Sequence, residues 1–260
     1  MLRWSINLFK VFGIQLELHA SFALLLAYAA YEGWVHGRGA GLLWSLLLIV
    51  SFFVCVVLHE LGHSLTAQRF GVQVPRILLL PIGGMAQLDR IPREPSKELL
   101  ITIAGPAVNF VLVVVLLPTA LRVFFGREYV PEYSMARLFA ELCRANLVMG
   151  IFNLLPVFPM DGGRIFRAML ATQTSYLNAT FWAVRVGRIC AVGLAVLMAL
   201  CFHNYFLSVL FIFIYWAGDM EYRYVLRQEE ESRYYDEMAR RAREAMRPDP
   251  NEPPVPPLLA

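Results

Sequence analysis

A run of 17 uncharged residues, 42–58, leads directly into His-Glu-Leu-Gly-His at 59–63. An apolar stretch of that length is typical of a membrane-spanning helix. If that helix continues through residues 59–63, the two histidines are four residues apart and project from one face of it. The sequence therefore predicts a pair of histidines on one face of a helix inside a bilayer.

The residues 59–63 match the pattern H-E-x-x-H, in which both histidines bind one zinc ion. Glu60 is then beside a water molecule at the metal and can accept its proton. The pattern alone occurs by chance in many proteins. Here the apolar context makes it informative, because two histidines and a glutamate are costly near a bilayer interior and are rarely retained without a function.

A catalytic zinc site needs a third protein ligand and an open fourth position. Asp161 is the best candidate, because it follows a predicted span at the same end as His59 and His63, and Gly162-Gly163 after it allow a close backbone approach. The alternative is that Asp161 only caps a turn. The remaining histidines lack ligand spacing and are interpreted as interfacial or packing residues: His19, His36 and His203.

The composition agrees with a membrane protein. The chain is 58% hydrophobic with a mean hydropathy of +0.55, and soluble domains are nearer half apolar. Its 260 residues suffice for one membrane bundle, and the net charge of +3 gives no reason to expect a nucleic-acid partner. The four cysteines show no C-x-x-C spacing and are interpreted as reduced packing residues, neither ligands nor disulfides: Cys55, Cys143, Cys190 and Cys201.

Hydropathy predicts six spans, at about 18–35, 42–70, 99–121, 138–158, 186–202 and 204–222. Residues 1–17 are interpreted as an amphipathic lead-in. A cleaved signal peptide is the alternative for the first span, because Ala27-Tyr28-Ala29 resembles a cleavage site. Asn109, a polar residue within the third span, should face the protein interior.

Residues 71–98 differ from the spans. Two short β-like runs, 74–80 and 85–89, flank the turn signal Pro81-Ile82-Gly83-Gly84. The stretch is too short to cross a bilayer as a helix, so we expect a hairpin at the membrane beside the metal helix; the alternative is an ordinary structured loop. The predicted fold class is an all-α polytopic membrane protein with six transmembrane helices and a small membrane-associated β-hairpin.

The charges suggest an orientation and a division into parts. With a cytoplasmic N-terminus, 18 of the 23 Lys and Arg residues lie in inside segments and 4 in outside loops. Positive charges favour the inside, so both termini are expected in the cytoplasm of a cell membrane protein. We expect a membrane core over 1–222, a charged helix-like tail over 223–247 and a proline-rich disordered tail over 248–260.

Several motifs together resemble the site-2 protease family of intramembrane zinc metalloproteases: the residues 59–63, Pro81-Ile82-Gly83-Gly84, Gly105-Pro106 followed by Asn109, Asn153-Leu154-Leu155-Pro156, and Pro159-Met160-Asp161-Gly162-Gly163. Their order and spacing also match over about residues 1–222. The resemblance implies one Zn²⁺ per chain, held by His59, His63 and Asp161. It implies further that Glu60 is the general base, that Asn153 lies near the oxyanion, and that the hairpin helps to present a transmembrane protein substrate.

The expected function is therefore intramembrane peptide-bond hydrolysis, with the lipid bilayer as surroundings. Two alternatives from other classes remain: a catalytically silent membrane binding or chaperone protein on the same fold, and a metal transporter. The intact glutamate and the complete set of candidate ligands argue against the first. A water-activating glutamate beside two ligands argues against the second. The oligomeric state cannot be derived from the sequence.

Overall fold

The computed structural model describes residues 4–87, 92–127 and 129–245. It is mainly helical, with one small sheet. Its elements in chain order are β1 (Ser5–Val11), β2 (Ile14–His19), α1 (Phe22–Arg69), β3 (Arg76–Leu80), β4 (Gly83–Gln87), α2 (Pro95–Phe125), α3 (Met135–Asn153), α4 (Asp161–Ala171), α5 (Tyr176–Leu200) and α6 (Tyr205–Ala245).

The helix α1 is a folded pair of arms, with its break at Arg38, where φ is 49° and ψ is −134°. The arms lie against each other, since a Cβ atom built on Gly33 would be 2.4 Å from the carbonyl oxygen of Gly41. Farther along, the rings of Phe22 and Phe53 pack edge to face with centroids 4.6 Å apart. The small residues Gly33 and Gly41 permit the close approach of the two arms. The two arms correspond to the first two predicted spans.

Three helices in the described part of the chain are long and apolar enough to cross a membrane: α1, α2 and α5. Only 22–28% of the residues in their most apolar stretches are buried in the protein. The remaining apolar side chains need a non-aqueous surrounding, which a bilayer provides. Helices α3 and α6 overlap the other two predicted spans but are not among these three, so the count of six spans stays a prediction.

The sheet is larger than the predicted isolated hairpin. β3 and β4 pair antiparallel at the predicted place, but the strand order is β1-β2-β3-β4, with β2 parallel to β3. The predicted hairpin is therefore present, but it belongs to a four-stranded sheet, in which the N-terminal lead-in forms a second hairpin. Its turn residues Phe12 and Gly13 have φ of 51° and 82°, as two-residue hairpin turns require. Leu88 and Asp89, predicted in the return strand, lie outside the described residues.

The buried face of the sheet packs on the part of α1 that carries the histidines. Ile14 and Ile77 are completely buried in a cluster with Leu61 and Ala67 of α1 and Ile101 of α2. Leu61 lies between the two histidines in sequence, so the sheet and the metal-binding face occupy different sides of the same helical turn. The hairpin β3–β4 is thereby fixed beside the candidate site.

The helix α6 continues without interruption from Tyr205 to Ala245, so the predicted boundary at residue 222 falls inside it. Val225 beyond that boundary is buried, and Glu229 forms an ion pair of 3.0 Å with Arg93. The charged segment thus begins as a packed extension of α6. The predicted proline-rich tail over 248–260 lies outside the described residues.

Candidate metal centre

Three predicted ligands converge at one point. Nε2 of His59 and Nε2 of His63 are 3.1 Å apart, and they lie 3.3 and 3.2 Å from Oδ2 of Asp161. Ligand atoms at about 2.0–2.2 Å from a tetrahedral zinc ion are roughly 3.3–3.6 Å from one another. The three measured separations are close to that range. Within the described ranges this is the one group of three or more His, Cys, Asp or Glu residues that could hold a metal ion.

The hydrogen bonds of the two rings leave both Nε2 atoms free to bind a metal. Nδ1 of His59 lies 2.6 Å from the side-chain oxygen of Asn109, and Nδ1 of His63 lies 2.8 Å from the backbone carbonyl of Ile101. Those oxygens only accept hydrogen bonds, so each neutral ring carries its proton on Nδ1 and a lone pair on Nε2. Metal-bound histidines are oriented in this way.

The carboxylate of Asp161 completes an electron-rich group. Its Oδ2 atom is buried and receives no hydrogen bond from the side chains and backbone of the described residues. A buried carboxylate oxygen without a donor is costly, and it also faces the lone pairs of two imidazoles. A cation among these three atoms would remove the repulsion and satisfy all of them. The donor set of two imidazoles and one carboxylate is one that zinc uses in catalytic sites.

A chain of amides holds the ring of His59. The side-chain nitrogen of Asn109 donates to the side-chain oxygen of Asn146 over 2.9 Å, and Asn146 in turn donates to the carbonyl of Leu142 over 2.8 Å. Both asparagines are completely buried. The sequence predicts only that Asn109 faces the interior, and it indicates no role for Asn146. The one signal that links them in the sequence is the presence of an asparagine in each of two apolar helices.

Two glycines allow the backbone to approach the site. A Cβ atom on Gly105 of α2 would be 2.1 Å from Nε2 of His63, and one on Gly84 of β4 would be 2.4 Å from Cγ of Glu60. Both separations are far below van der Waals contact. No side chain larger than hydrogen fits at either position while His63 and Glu60 keep their places.

Replacing Gly105 by alanine should therefore weaken zinc binding by about 10- to 100-fold or more, the loss typical when the groups that orient a metal ligand are changed. The added methyl group displaces the ring of His63 from His59 and Asp161. Competition with a chelating dye measures the affinity. Gly193→Ala is the matched control, because a Cβ atom there would have no neighbour within 4 Å. Equal zinc affinity in the two variants would contradict this account.

A cavity of about 560 Å³ opens beside the group. Among its lining residues are His59, Glu60 and Asn153, together with Gly83 and Gly84 of the hairpin. The structure thus brings the predicted base, the predicted oxyanion residue and the hairpin to one cavity that reaches one of the candidate ligands. Glu60 and Asn153 are both partly exposed there.

The other histidines and the cysteines lie outside this group. His19 contacts Ser21, and His36 contacts Glu32. Cys55 is buried one turn before His59 and is free, like the other three cysteines. None of them contributes an atom to the candidate metal centre.

Residues 47–127 and 123–200 match the sequence model of peptidase family M50. The chain belongs to this family. The M50 match includes His59, His63 and Asp161, and it confirms the resemblance that the motifs indicated. Family membership and the apolar helices together indicate an integral membrane protein.

Two named relatives of this M50 chain support the family assignment. A zinc metalloprotease of Methanocaldococcus jannaschii is 41% identical over 227 residues, which are 86% of this chain and 62% of that protein. The Rip3 protein of Mycobacterium tuberculosis is 30% identical over 213 residues, 75% of this chain and 51% of that protein. This chain therefore spans between half and two thirds of the length of these two relatives.

A solved structure, the site-2 protease from Methanocaldococcus jannaschii, matches the fold. The TM-score is 0.59 at 39% sequence identity, and the match covers 84% of this chain and 95% of that one. The candidate metal centre thus lies in a chain whose fold resembles that of a known protease.

Proposed function

We propose that this M50 chain is a zinc endopeptidase that hydrolyses peptide bonds within transmembrane segments of membrane proteins. The observation that carries the proposal is the convergence of His59, His63 and Asp161 within 3.3 Å of one another, next to a cavity lined by Glu60. A binding protein on the same fold would not need the glutamate. A transporter would need a path for the ion rather than a cavity with a base.

In this proposal His59, His63 and Asp161 hold one zinc ion per chain. Bound zinc supplies a Lewis acid and lowers the pKa of a coordinated water molecule to about 7. Asn109 and the carbonyl of Ile101 keep the two imidazoles in the tautomer that such binding needs.

Glu60 and Asn153 act from the cavity. Glu60 accepts the proton of the attacking water and then donates it to the leaving amine, so no net proton is consumed. The side-chain amide of Asn153 donates a hydrogen bond to the carbonyl oxygen as negative charge develops on it. The position of both residues on one cavity wall supports these roles.

The β3–β4 hairpin offers a strand edge with which an extended segment of the substrate can pair. β4 is the outermost strand of the described sheet and pairs only with β3, and its residues Gly83 and Gly84 line the cavity. A transmembrane helix hides its peptide bonds in internal hydrogen bonds and must unwind before attack. Backbone hydrogen bonds to a free strand edge replace the helical hydrogen bonds that the unwound segment has lost.

The experiment that tests this function is cleavage of a single-span protein reconstituted with the chain in liposomes. Release of product should stop when zinc is chelated and resume when one equivalent of zinc is restored. Cleavage that continues after complete removal of zinc would overturn the proposal. Adding one equivalent of magnesium in place of zinc to the chelated protein serves as the control and should not restore cleavage.

We also propose six spans with both termini in the cytoplasm of a cell membrane, on the basis of the charge asymmetry and the fold of α1 into two arms. Topology reporters fused after residues 36, 130 and 260 should then report outside, outside and inside. A cytoplasmic signal at residue 36 or 130 would show that the span count or the orientation is wrong.

A further inference from the structure

A buried arginine joins the helix that carries Asp161 to four other parts of the chain. Arg167 of α4 is completely buried and donates from Nε to Oε1 of Glu98 on α2 over 3.0 Å; Glu98 is only 1% exposed. Its Nη1 donates to Glu221 of α6 over 2.9 Å. Its guanidinium also lies over the rings of Phe158 and Tyr176, at 5.1 and 4.9 Å from their centroids.

Stability alone does not explain such a cluster. Removing two charges from water is costly, and apolar residues of similar volume often stabilise a protein as well as a buried ion pair does. A guanidinium that contacts two carboxylates and two aromatic rings instead fixes the relative position and orientation of the elements that carry them, because its donors form a rigid planar fork. The role of the cluster therefore has to be inferred from the helices that it joins.

One face of α2 relates this cluster to the metal centre. Glu98, Ile101, Gly105 and Asn109 follow one another at spacings of three and four residues, so they share a helix face. Glu98 holds Arg167, Ile101 and Gly105 contact the ring of His63, and Asn109 holds the ring of His59. One face of α2 thus orients the imidazole rings of both histidines and also holds α4 in place.

The first turn of α4 offers little side-chain support for Asp161. The next two residues, Gly162 and Gly163, have no side chains, and their backbone packs directly on Leu155 and Phe158. Arg167 lies six residues after Asp161, about 9 Å along the helix axis. It is the buried charged residue on α4, so it can stop this short helix from sliding or rotating against α2.

We propose that Arg167 is a positioning residue for Asp161. Through Glu98 it fixes α4 on the face of α2 that orients His59 and His63, so that the three donor atoms keep the separations of 3.1–3.3 Å that a shared metal ion needs. This inference rests on the proposed ligand set. It assigns Arg167 a role in metal affinity that is separate from its role in folding.

The test removes both charges of the buried pair with little change in volume, in the variant Arg167→Met/Glu98→Gln. The metal-free variant should remain folded, while its zinc affinity, measured by competition with a chelating dye, falls by about 10- to 100-fold. The absorption spectrum of the cobalt-loaded protein should also change. A purely structural role would lower the melting temperature of the metal-free protein and leave the affinity and the spectrum of the folded protein unchanged.

The matched control is Arg188→Met/Asp219→Asn, which removes an ion pair between α5 and α6 that does not include α4. Its zinc affinity should stay within twofold of the wild type. If the first double variant does not fold, Arg167→Lys keeps the charge and loses the fork, and its affinity should lie below that of the wild type. Wild-type affinity in either folded Arg167 variant would overturn the inference.

Asp161→Ala, measured in the same assay, separates this inference from the proposed ligand set. If Asp161→Ala loses zinc and the Arg167 variants keep it, only the positioning role is wrong. If Asp161→Ala binds zinc as tightly as the wild type, the ligand set itself is wrong, and the positioning role falls with it.

Discussion

Replacing Glu60 by glutamine should leave one zinc ion per chain and lower the rate of substrate cleavage by about 10²–10⁴, the usual contribution of a general acid–base group. Glutamine has the same shape and fits beside Gly84, but its amide cannot accept the proton of the attacking water. Glu60 contributes no atom to the group of three donors, so the metal should stay. Zinc content and the initial rate of cleavage, measured on the same purified sample, check both halves of the expectation.

The control for this change is Glu230→Gln, the same chemical substitution at an exposed position of α6. It should keep both zinc and activity. Cleavage by Glu60→Gln at the wild-type rate would exclude Glu60 as the base, whereas loss of zinc from it would mean that Glu60 also supports the metal.

The double change His59→Ala/Asp161→Ala should abolish stoichiometric zinc binding and, with it, all cleavage. Only one of the three donors, His63, remains, and a single imidazole does not hold zinc in a site that normally has three protein ligands. Elemental analysis after purification without added metal measures the remaining occupancy. The variant His36→Ala/Asp236→Ala removes the same residue types at exposed positions and should keep its zinc.

Full zinc occupancy in the His59→Ala/Asp161→Ala protein would show that the metal lies elsewhere. Cys55, one turn before His59, would then be the first residue to examine.

Much of the candidate site could be predicted because its signals are local. The spacing of His59 and His63 depends only on the helical repeat, and the uncharged residues before them predict that repeat. The position of Asp161 followed from the end of a span and from the glycine pair after it. The turn Pro81–Gly84 likewise predicted the β3–β4 hairpin within a few residues.

The remaining features depend on contacts between distant parts of the chain. β2 pairs with β3 across the whole of α1, and a one-dimensional pattern does not contain the partner of a parallel strand. The contact of Asn109 with His59 joins residues 50 apart in sequence, and that of Arg167 with Glu98 joins residues 69 apart. Each of these residues is visible as a polar residue in or beside an apolar segment, but the identity of its partner requires the fold.

The boundary at residue 222 was placed where the composition changes from apolar to charged. Helix α6 continues past that point, because the backbone hydrogen bonds of a helix do not depend on whether its side chains are apolar or charged. The change of composition therefore marks a change in the side chains and not the end of the element.

The position of the broken bond tests the claim that hydrolysis takes place inside the bilayer. His59 and His63 lie ten and six residues before the end of α1 at Arg69, about 9–15 Å along the helix. With the proposed orientation, mass spectrometry of the products from a reconstituted single-span substrate should find new termini inside its membrane segment, in the cytoplasmic half, and none with Glu60→Gln. New termini only in soluble loops far from the bilayer, or the same termini with Glu60→Gln, would contradict the claim.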